Sequence, residues 1–242
     1  MLVVLGLSLG RSAVYSVLSL ADKLTKEVPL AQQTTSINTS ATPERPWLDL
    51  AYQLANLVFP LMPVALVFYL MWVWQRPHGG PFRRMGFDLR RPGFDLGVGS
   101  LVFAGIGAGG ILLYLAAREL GFNTTVAAAN LAEAWWTIPV LVLRAVMNGV
   151  LEEVVMVGYL FTRWRQAGGR TATVLVGSAL IRGAYHLYQG FGGFAGNLIM
   201  GLLFGWLYLR TKRVMPLVVV HSLLDIAAFV GYALLKPHLS WL

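Results

Sequence analysis

Seven apolar stretches, each long enough or nearly so to cross a hydrocarbon core as a helix, constrain this chain more than any other feature. They cover about residues 2–20, 50–74, 98–117, 137–162, 172–189, 193–209 and 214–235. Inside a bilayer every backbone N–H and C=O needs a partner within the protein, and a helix supplies those partners along its own length. The expected fold is therefore all-α: a polytopic membrane helical bundle of about seven transmembrane helices. Charged residues make up only 12% of the 242 residues, about half the share usual in soluble domains. There is no cysteine, which excludes disulfides, thiolate metal sites and a cysteine nucleophile. The first stretch carries Arg11 in its middle but has no basic leader and no small-residue cleavage pattern, so it is expected to be a retained helix.

The net charge of +8 raises the question of nucleic acid, and its distribution answers it. Of 19 Lys and Arg, eleven fall in alternate loops: Arg76, Arg83, Arg84, Arg90 and Arg91, then Arg163, Arg165 and Arg170, then Arg210, Lys212 and Arg213. Five lie on the other side (Lys23, Lys26, Arg45, Arg118, Lys236), and Arg11, Arg144 and Arg182 lie within spans. The positive-inside rule places the eleven in the cytoplasm, with the N-terminus cytoplasmic and the C-terminus outside a cell membrane crossed many times. The charge is then a topology signal and requires no nucleic acid. Segment 31–46 reads as an exposed external loop. Asn38-Thr39-Ser40 and Asn123-Thr124-Thr125 match the glycosylation sequon, a pattern that chance supplies often. Gly86–Leu96 repeats a Gly-Phe-Asp-Leu unit and reads as an interfacial turn, and Trp72, Trp74, Trp135 and Trp136 read as interface anchors.

The last four stretches concentrate the ionisable groups: Arg144, Glu152, Glu153, Arg182, His186, His221 and Asp225. A charge at mid-bilayer costs about 2.5–3.5 kcal/mol, so three acids and two arginines facing lipid separately would cost on the order of 10 kcal/mol. They are expected to meet inside the bundle or to line a wet cavity. Helical spacing allows this. Arg144, Asn148 and Glu152 recur every four residues, as do Arg182 with His186 and His221 with Asp225. A structural ion network is one reading. Two Glu, two His and an Asp together, all able to move protons, favour chemistry. The glycines of the sixth stretch, Gly192-x-x-x-Gly196 and Gly201-x-x-x-Gly205, read as close helix packing, and Asn197 among them can offer a carboxamide to the cluster or to a neighbouring helix.

These residue types suit hydrolysis. A buried Glu is a general base, a His can share the attacking water, and a second His with a carboxyl or amide group can face an oxyanion. No Ser, Thr or Cys stands in a triad arrangement. His186, His221, Glu152 and Asp225 also form an acceptable N/O set for zinc, although no His-Glu-x-x-His motif is present. A proton-coupled transporter is the alternative, but it would be expected to show internal repeats, and none is found.

Glu152-Glu153-x-x-x-x-Gly158-Tyr159, then His186, then His221-x-x-x-Asp225, on successive hydrophobic helices, resemble the CPBP intramembrane proteases. That family includes the type II CAAX prenyl endopeptidases and bacteriocin-processing or immunity proteins. The resemblance covers about residues 137–235. This makes 137–235 a catalytic core of four transmembrane helices and 1–136 a variable part of membrane helices and loops. It implies an intramembrane endopeptidase acting on membrane-associated peptide or lipidated protein substrates. It implies Glu152 as the water-activating base, Glu153 as its companion, His186 as the histidine paired with the water, and His221 with Asp225 at the oxyanion site. Arg144, Arg182 and Asn197 are supporting candidates. Both a metal-dependent and a metal-independent, glutamate-based chemistry are associated with the family, and a non-proteolytic immunity or binding protein on the same fold is a further alternative. Two positions depart from its pattern: Val157 stands where an arginine is usual, and Arg182 where a phenylalanine is usual. Charge balance then predicts that Arg182 pairs with Glu153 or Glu152 in place of the missing arginine.

Overall fold

The computed structural model describes residues 1–74 and 80–238. Arg76, one of the eleven cations counted above, lies outside them. The described residues are overwhelmingly helical, and two three-residue strands are the exception. Four helical stretches are long and apolar enough to cross a membrane: Pro46–Trp74, Pro92–Glu119, Phe191–Thr211 and Met215–Leu235. The chain is an all-α multi-pass membrane bundle.

The N-terminal stretch is not one helix. α1 (Leu2–Gly6) and α2 (Leu9–Leu24) are separated at Leu7–Ser8, where the Ser8 hydroxyl donates back to the Val4 carbonyl at 2.6 Å. Arg11 is exposed, over the Tyr15 ring. α3 (Pro46–Val58) and α4 (Met62–Trp74) are joined by a 3-10 turn, Phe59–Leu61. Pro60 and Pro63 lack the amide hydrogens that a regular helix would use there. After the short α5 (Gly80–Met85) comes α6 (Pro92–Glu119). It buries only Asp95, Gly99 and Ala117, and it leaves Leu101, Ile111 and Leu112 exposed. A helix that is apolar on its outer face is suited to lipid rather than water.

α7 (Thr137–Glu152) runs without a break through a π-helical segment, Glu153–Tyr159, into α8 (Leu160–Gln166). All seven residues of the π segment are buried. α9 (Thr171–Ala184) has 14 residues, about 21 Å of rise, and so covers only part of a hydrocarbon core of about 30 Å. The expected span 172–189 is therefore shorter than its apolar run: past Ala184 the chain leaves the helix, and His186 stands at the head of a 3-10 turn, Leu187–Gln189. The chain reverses at Gly190 (φ 118°) into α10 (Phe191–Thr211), followed by α11 (Met215–Leu235). A Cβ at Gly190 would lie 2.6 Å from the Phe122 carbonyl oxygen.

Close packing follows the glycines. A Cβ at Gly201 would sit 2.9 Å from Ala179 Cα on α9, and one at Gly192 would sit 2.5 Å from Ala117 Cβ on α6. α7 meets α11 at Gly149, where a Cβ would lie 2.7 Å from Ser222 Oγ. The main apolar core joins Val154, Met156, Tyr159, Phe161, Phe204 and Leu217 across the π segment, α8, α10 and α11.

The segment 31–46 is more ordered than an exposed loop. β1 (Thr34–Ser36) pairs in parallel with β2 (Thr125–Ala127), and Leu30, Thr35 and Asn38 are buried. Both sequon asparagines are used internally. Asn38 donates to the Ala128 carbonyl at 2.9 Å, and Asn123 accepts from the Gly193 amide at 3.0 Å, so neither presents a free carboxamide to solvent. Trp136 is buried as well; Trp135 alone of that pair is exposed. At the cation-rich end, Arg213 grips Asp95 with two bonds (2.8 and 2.7 Å) and Asp88 at 3.0 Å, which ties the Gly-Phe-Asp-Leu turn to the α10–α11 loop.

Candidate active site

Three separated elements deliver the predicted polar residues to one place. Glu152 ends α7 and Glu153 opens the π segment. On a regular helix adjacent side chains diverge by about 100°. Here both carboxylates reach the same guanidinium, at a π-helical irregularity of the kind that often marks functional positions. Arg182 Nη2 donates to Glu153 Oε1 at 2.6 Å, and Nη1 lies 3.5 Å from Glu152 Oε2. The contact expected from charge balance is thus present. Val157, in the place of the family's usual arginine, packs in the apolar core.

His221 sits six residues into α11 and Asp225 ten, about 9 and 15 Å in from the start of that helix, so the cluster lies at mid-depth. His221 Nδ1 is 2.6 Å from Glu153 Oε1. A carboxylate oxygen accepts, so Nδ1 carries the hydrogen and Nε2 is the free face of the ring. Nε2 lies 3.9 Å from both Glu152 Oε2 and Asp225 Oδ1. Asp225 Oδ2 accepts from Asn148 Nδ2 at 2.9 Å.

His186 is fixed in the same way. Its Nδ1 is 3.1 Å from the Arg182 carbonyl, which can only accept, so Nδ1 donates and Nε2 is left with a lone pair. Its ring lies against Tyr185 with centroids 4.7 Å apart. The Tyr185 hydroxyl donates to Glu152 Oε2 at 2.6 Å. Spacing placed Arg182 and His186 on one helical face; in the structure the helix ends at Ala184 and the His186 ring meets the Arg182 backbone carbonyl.

Burial separates the two glutamates. The Glu153 side chain is fully buried and Arg182 is 1% exposed, whereas Glu152 retains 12% and Asp225 21%. Glu153 is an internal strut; Glu152 is the carboxylate that a small molecule can reach.

Two expected participants lie elsewhere. Arg144 belongs to a separate network: it donates to Asn38 Oδ1 at 3.0 Å and to Gln53 Oε1, and Gln53 in turn donates to the buried Asp49. The Arg144–Asn148–Glu152 stripe therefore divides, Arg144 turning to Asn38 and Gln53, Asn148 to Asp225 and Glu152 to Arg182 and Tyr185, since eight residues of helix span about 12 Å. Asn197 donates to its own helix at the Gly193 carbonyl, 2.9 Å away.

The turn that carries His186 is held by residues no motif indicated. The Tyr188 amide donates to Ser16 Oγ at 2.7 Å, the Tyr188 carbonyl accepts from Lys23 Nζ, and Lys23 also donates to Thr35 Oγ1 at 2.7 Å. The Gln189 carbonyl accepts from the Thr124 amide at 2.9 Å. The α2 residues are more than 160 positions distant in sequence, and a polar residue on a generic apolar helix gives no sign of its partner.

The tight group of potential metal ligands among the described residues is Glu152, Glu153 and His221, with ligand atoms within 4.8 Å of one another. This differs from the set expected from sequence, which paired both histidines with Glu152 and Asp225. One atom of each is engaged: Glu153 Oε1 holds both Arg182 and His221 at 2.6 Å, and Glu152 Oε2 holds Tyr185, while Glu153 Oε2 has no partner. A guanidinium occupying the place of positive charge between two carboxylates makes a poor setting for a divalent ion. The 3.9 Å separations leave His221 Nε2 without a direct hydrogen bond.

Residues 134–227 match the family model Rce1-like, described as Type II CAAX prenyl endopeptidase Rce1-like. No curated protein and no solved structure matches the chain.

Proposed function

We propose, from the match of residues 134–227 to the Rce1-like, type II CAAX prenyl endopeptidase model, that this membrane protein is an endopeptidase that cleaves a peptide bond within or close to the bilayer by glutamate-activated water. The observation that carries this reading is the meeting of Glu152, His186 and His221, from three elements, around the buried Arg182–Glu153 pair. Water sits between the Glu152 carboxylate and His186 Nε2, donating one hydrogen to each. Glu152 takes its proton as the water oxygen attacks the carbonyl carbon. With Glu153 on Nδ1 and the Glu152 and Asp225 carboxylates 3.9 Å from Nε2, His221 acts as an imidazolium carrying both ring hydrogens, and the oxyanion that forms meets its Nε2–H and the carboxamide of Asn148. Collapse of the tetrahedral carbon breaks the C–N bond, and the amine leaves with the proton that Glu152 received. Arg182 and Tyr185 orient Glu152 through Oε2, leaving Oε1 for water. Asp225 holds Asn148 and faces His221.

Substrates of this reading are membrane-associated peptides, with lipidated C-termini as the class the family suggests. The gathering of the 83–91, 163–170 and 210–213 cations at one end supports a cytoplasmic placement of that end.

The test is cleavage of membrane-anchored peptides by the purified chain in liposomes. Loss of a general base is expected to slow turnover about 10²–10⁴-fold in Glu152→Gln. Metal chelation is expected to leave the rate unchanged. A Glu152→Gln protein that cleaves at the native rate overturns the glutamate assignment; inactivation by a chelator with recovery on adding zinc overturns the metal-free chemistry.

A further inference from the structure

Away from the candidate active site, at the cation-rich end of the bundle, α5, α8 and α10 enclose a cleft of about 340 Å³. Its walls include Arg84, Arg165 and Lys212; Phe161 and Tyr208 lie edge to face in it, 5.8 Å apart, with Thr162 beside them. No acidic side chain lines it. Among the described residues no carboxylate lies within ion-pair distance of any of the three cations, although Arg182 and Arg213 elsewhere are fully paired. Three unpaired cations around one concavity repel each other, and an anion placed among them removes that repulsion. Lys212 is also held in the left-handed region (φ 56°), where glycine or asparagine is the usual occupant.

The depth of the cleft indicates where the anion comes from. Trp74 at the end of α4 and Trp206 near the end of α10 are exposed on the same end, with Arg163 over the first ring and Arg210 over the second. Tryptophans in this position mark the headgroup level of a bilayer. Basic pockets between helices at that level suit anionic headgroups.

We propose that the Arg84–Arg165–Lys212 cleft binds the phosphate of an anionic phospholipid, with Phe161 and Tyr208 against its glycerol and upper acyl carbons. Thr162 lies ten residues past Glu152, about 15 Å of helix, so the site is distinct from the candidate active site and its occupancy can be read without any cleavage assay.

The test uses the full chain purified in detergent, with bound lipid counted by native mass spectrometry after exchange into phosphatidylglycerol, phosphatidylcholine or inorganic phosphate. Phosphatidylglycerol is expected to be retained in preference to phosphatidylcholine. Replacing Arg84, Arg165 and Lys212 together with Gln is expected to weaken retention about a hundredfold, from about 1 kcal/mol per cation and a factor of ten per about 1.4 kcal/mol. A charge-matched control with Gln at Arg90, Arg91 and Arg170, exposed at the same end, is expected to keep the lipid. If the triple variant fails to fold, the exposed Lys212→Gln alone is expected to lose about fivefold. Equal retention of the two lipids, or equal loss in the triple variant and its control, overturns the site. Displacement of phosphatidylglycerol by an equal concentration of inorganic phosphate overturns the lipid assignment in favour of a soluble anion.

Discussion

Replacing Arg182 with methionine keeps most of the side-chain volume and removes the charge that holds the candidate site together. The guanidinium is 1% exposed, 2.6 Å from Glu153 and 3.5 Å from Glu152, and it lies over the Phe204 ring at 5.3 Å. Its loss leaves Glu153, fully buried, with His221 as its partner and one oxygen that already has none. Removing one member of a buried ion pair costs about 3–5 kcal/mol, because the remaining charge stays desolvated. That is a large part of the about 5–15 kcal/mol that stabilises a typical fold. The unfolding equilibrium of Arg182→Met, measured by denaturant titration of the detergent-solubilised protein, is expected to shift by about 10²–10³·⁵. Glu153→Gln in the same background removes the stranded charge and is expected to recover most of the loss, giving a coupling energy of about 2–3 kcal/mol in the double-mutant cycle. A single variant within about 0.5 kcal/mol of the parent, or a double variant whose losses simply add, would refute the idea that Arg182 neutralises the glutamate pair.

Lys23→Met removes the cation from the Tyr188 carbonyl and Thr35, a charged hydrogen bond worth about 1.5–3 kcal/mol; cleavage is expected to fall about tenfold or more through loosening of the His186 turn while helix content by circular dichroism is unchanged, and an unchanged rate rules out the clamp. Gly190→Ala is expected to lower stability by at least about 1–3 kcal/mol, read as a drop in thermal midpoint, because alanine neither favours φ 118° nor fits beside the Phe122 carbonyl; a midpoint equal to the parent contradicts this. Burial alone would raise the Asp88 carboxyl, but the Arg90 amide and the Arg213 guanidinium outweigh it and hold it below the usual carboxylate value. A depressed carboxylate contributes stability above its unfolded value of about 3.9 and loses it as pH falls through the folded value. The stability gap between the parent and Asp88→Asn is therefore expected to be full at about pH 6 and to close below about pH 4. A gap that widens on acidification would reverse the sign.

The sequence by itself determined that the chain is a membrane helical bundle and that most of its intramembrane ionisable groups gather. Long apolar runs leave the backbone no alternative to helices, and charges too costly to face lipid must find each other, so the gathering of Glu152, Glu153, Arg182, His186, His221 and Asp225 is legible in the sequence. Spacing also suggested a single Arg144–Asn148–Glu152 face, and here it misled: a periodic stripe records direction along one helix but not which neighbour stands opposite each turn. Only the tertiary structure decided that Arg144 serves Asn38 and Gln53, that α9 stops short so that His186 turns on Gly190, and that Ser16 and Lys23 from α2 hold that turn. Those contacts join segments far apart in the chain, and no local pattern encodes them. They exist because packing a short helix among longer ones leaves unpaired carbonyls at mid-depth, and the nearest available donors, wherever they lie in the sequence, must satisfy them.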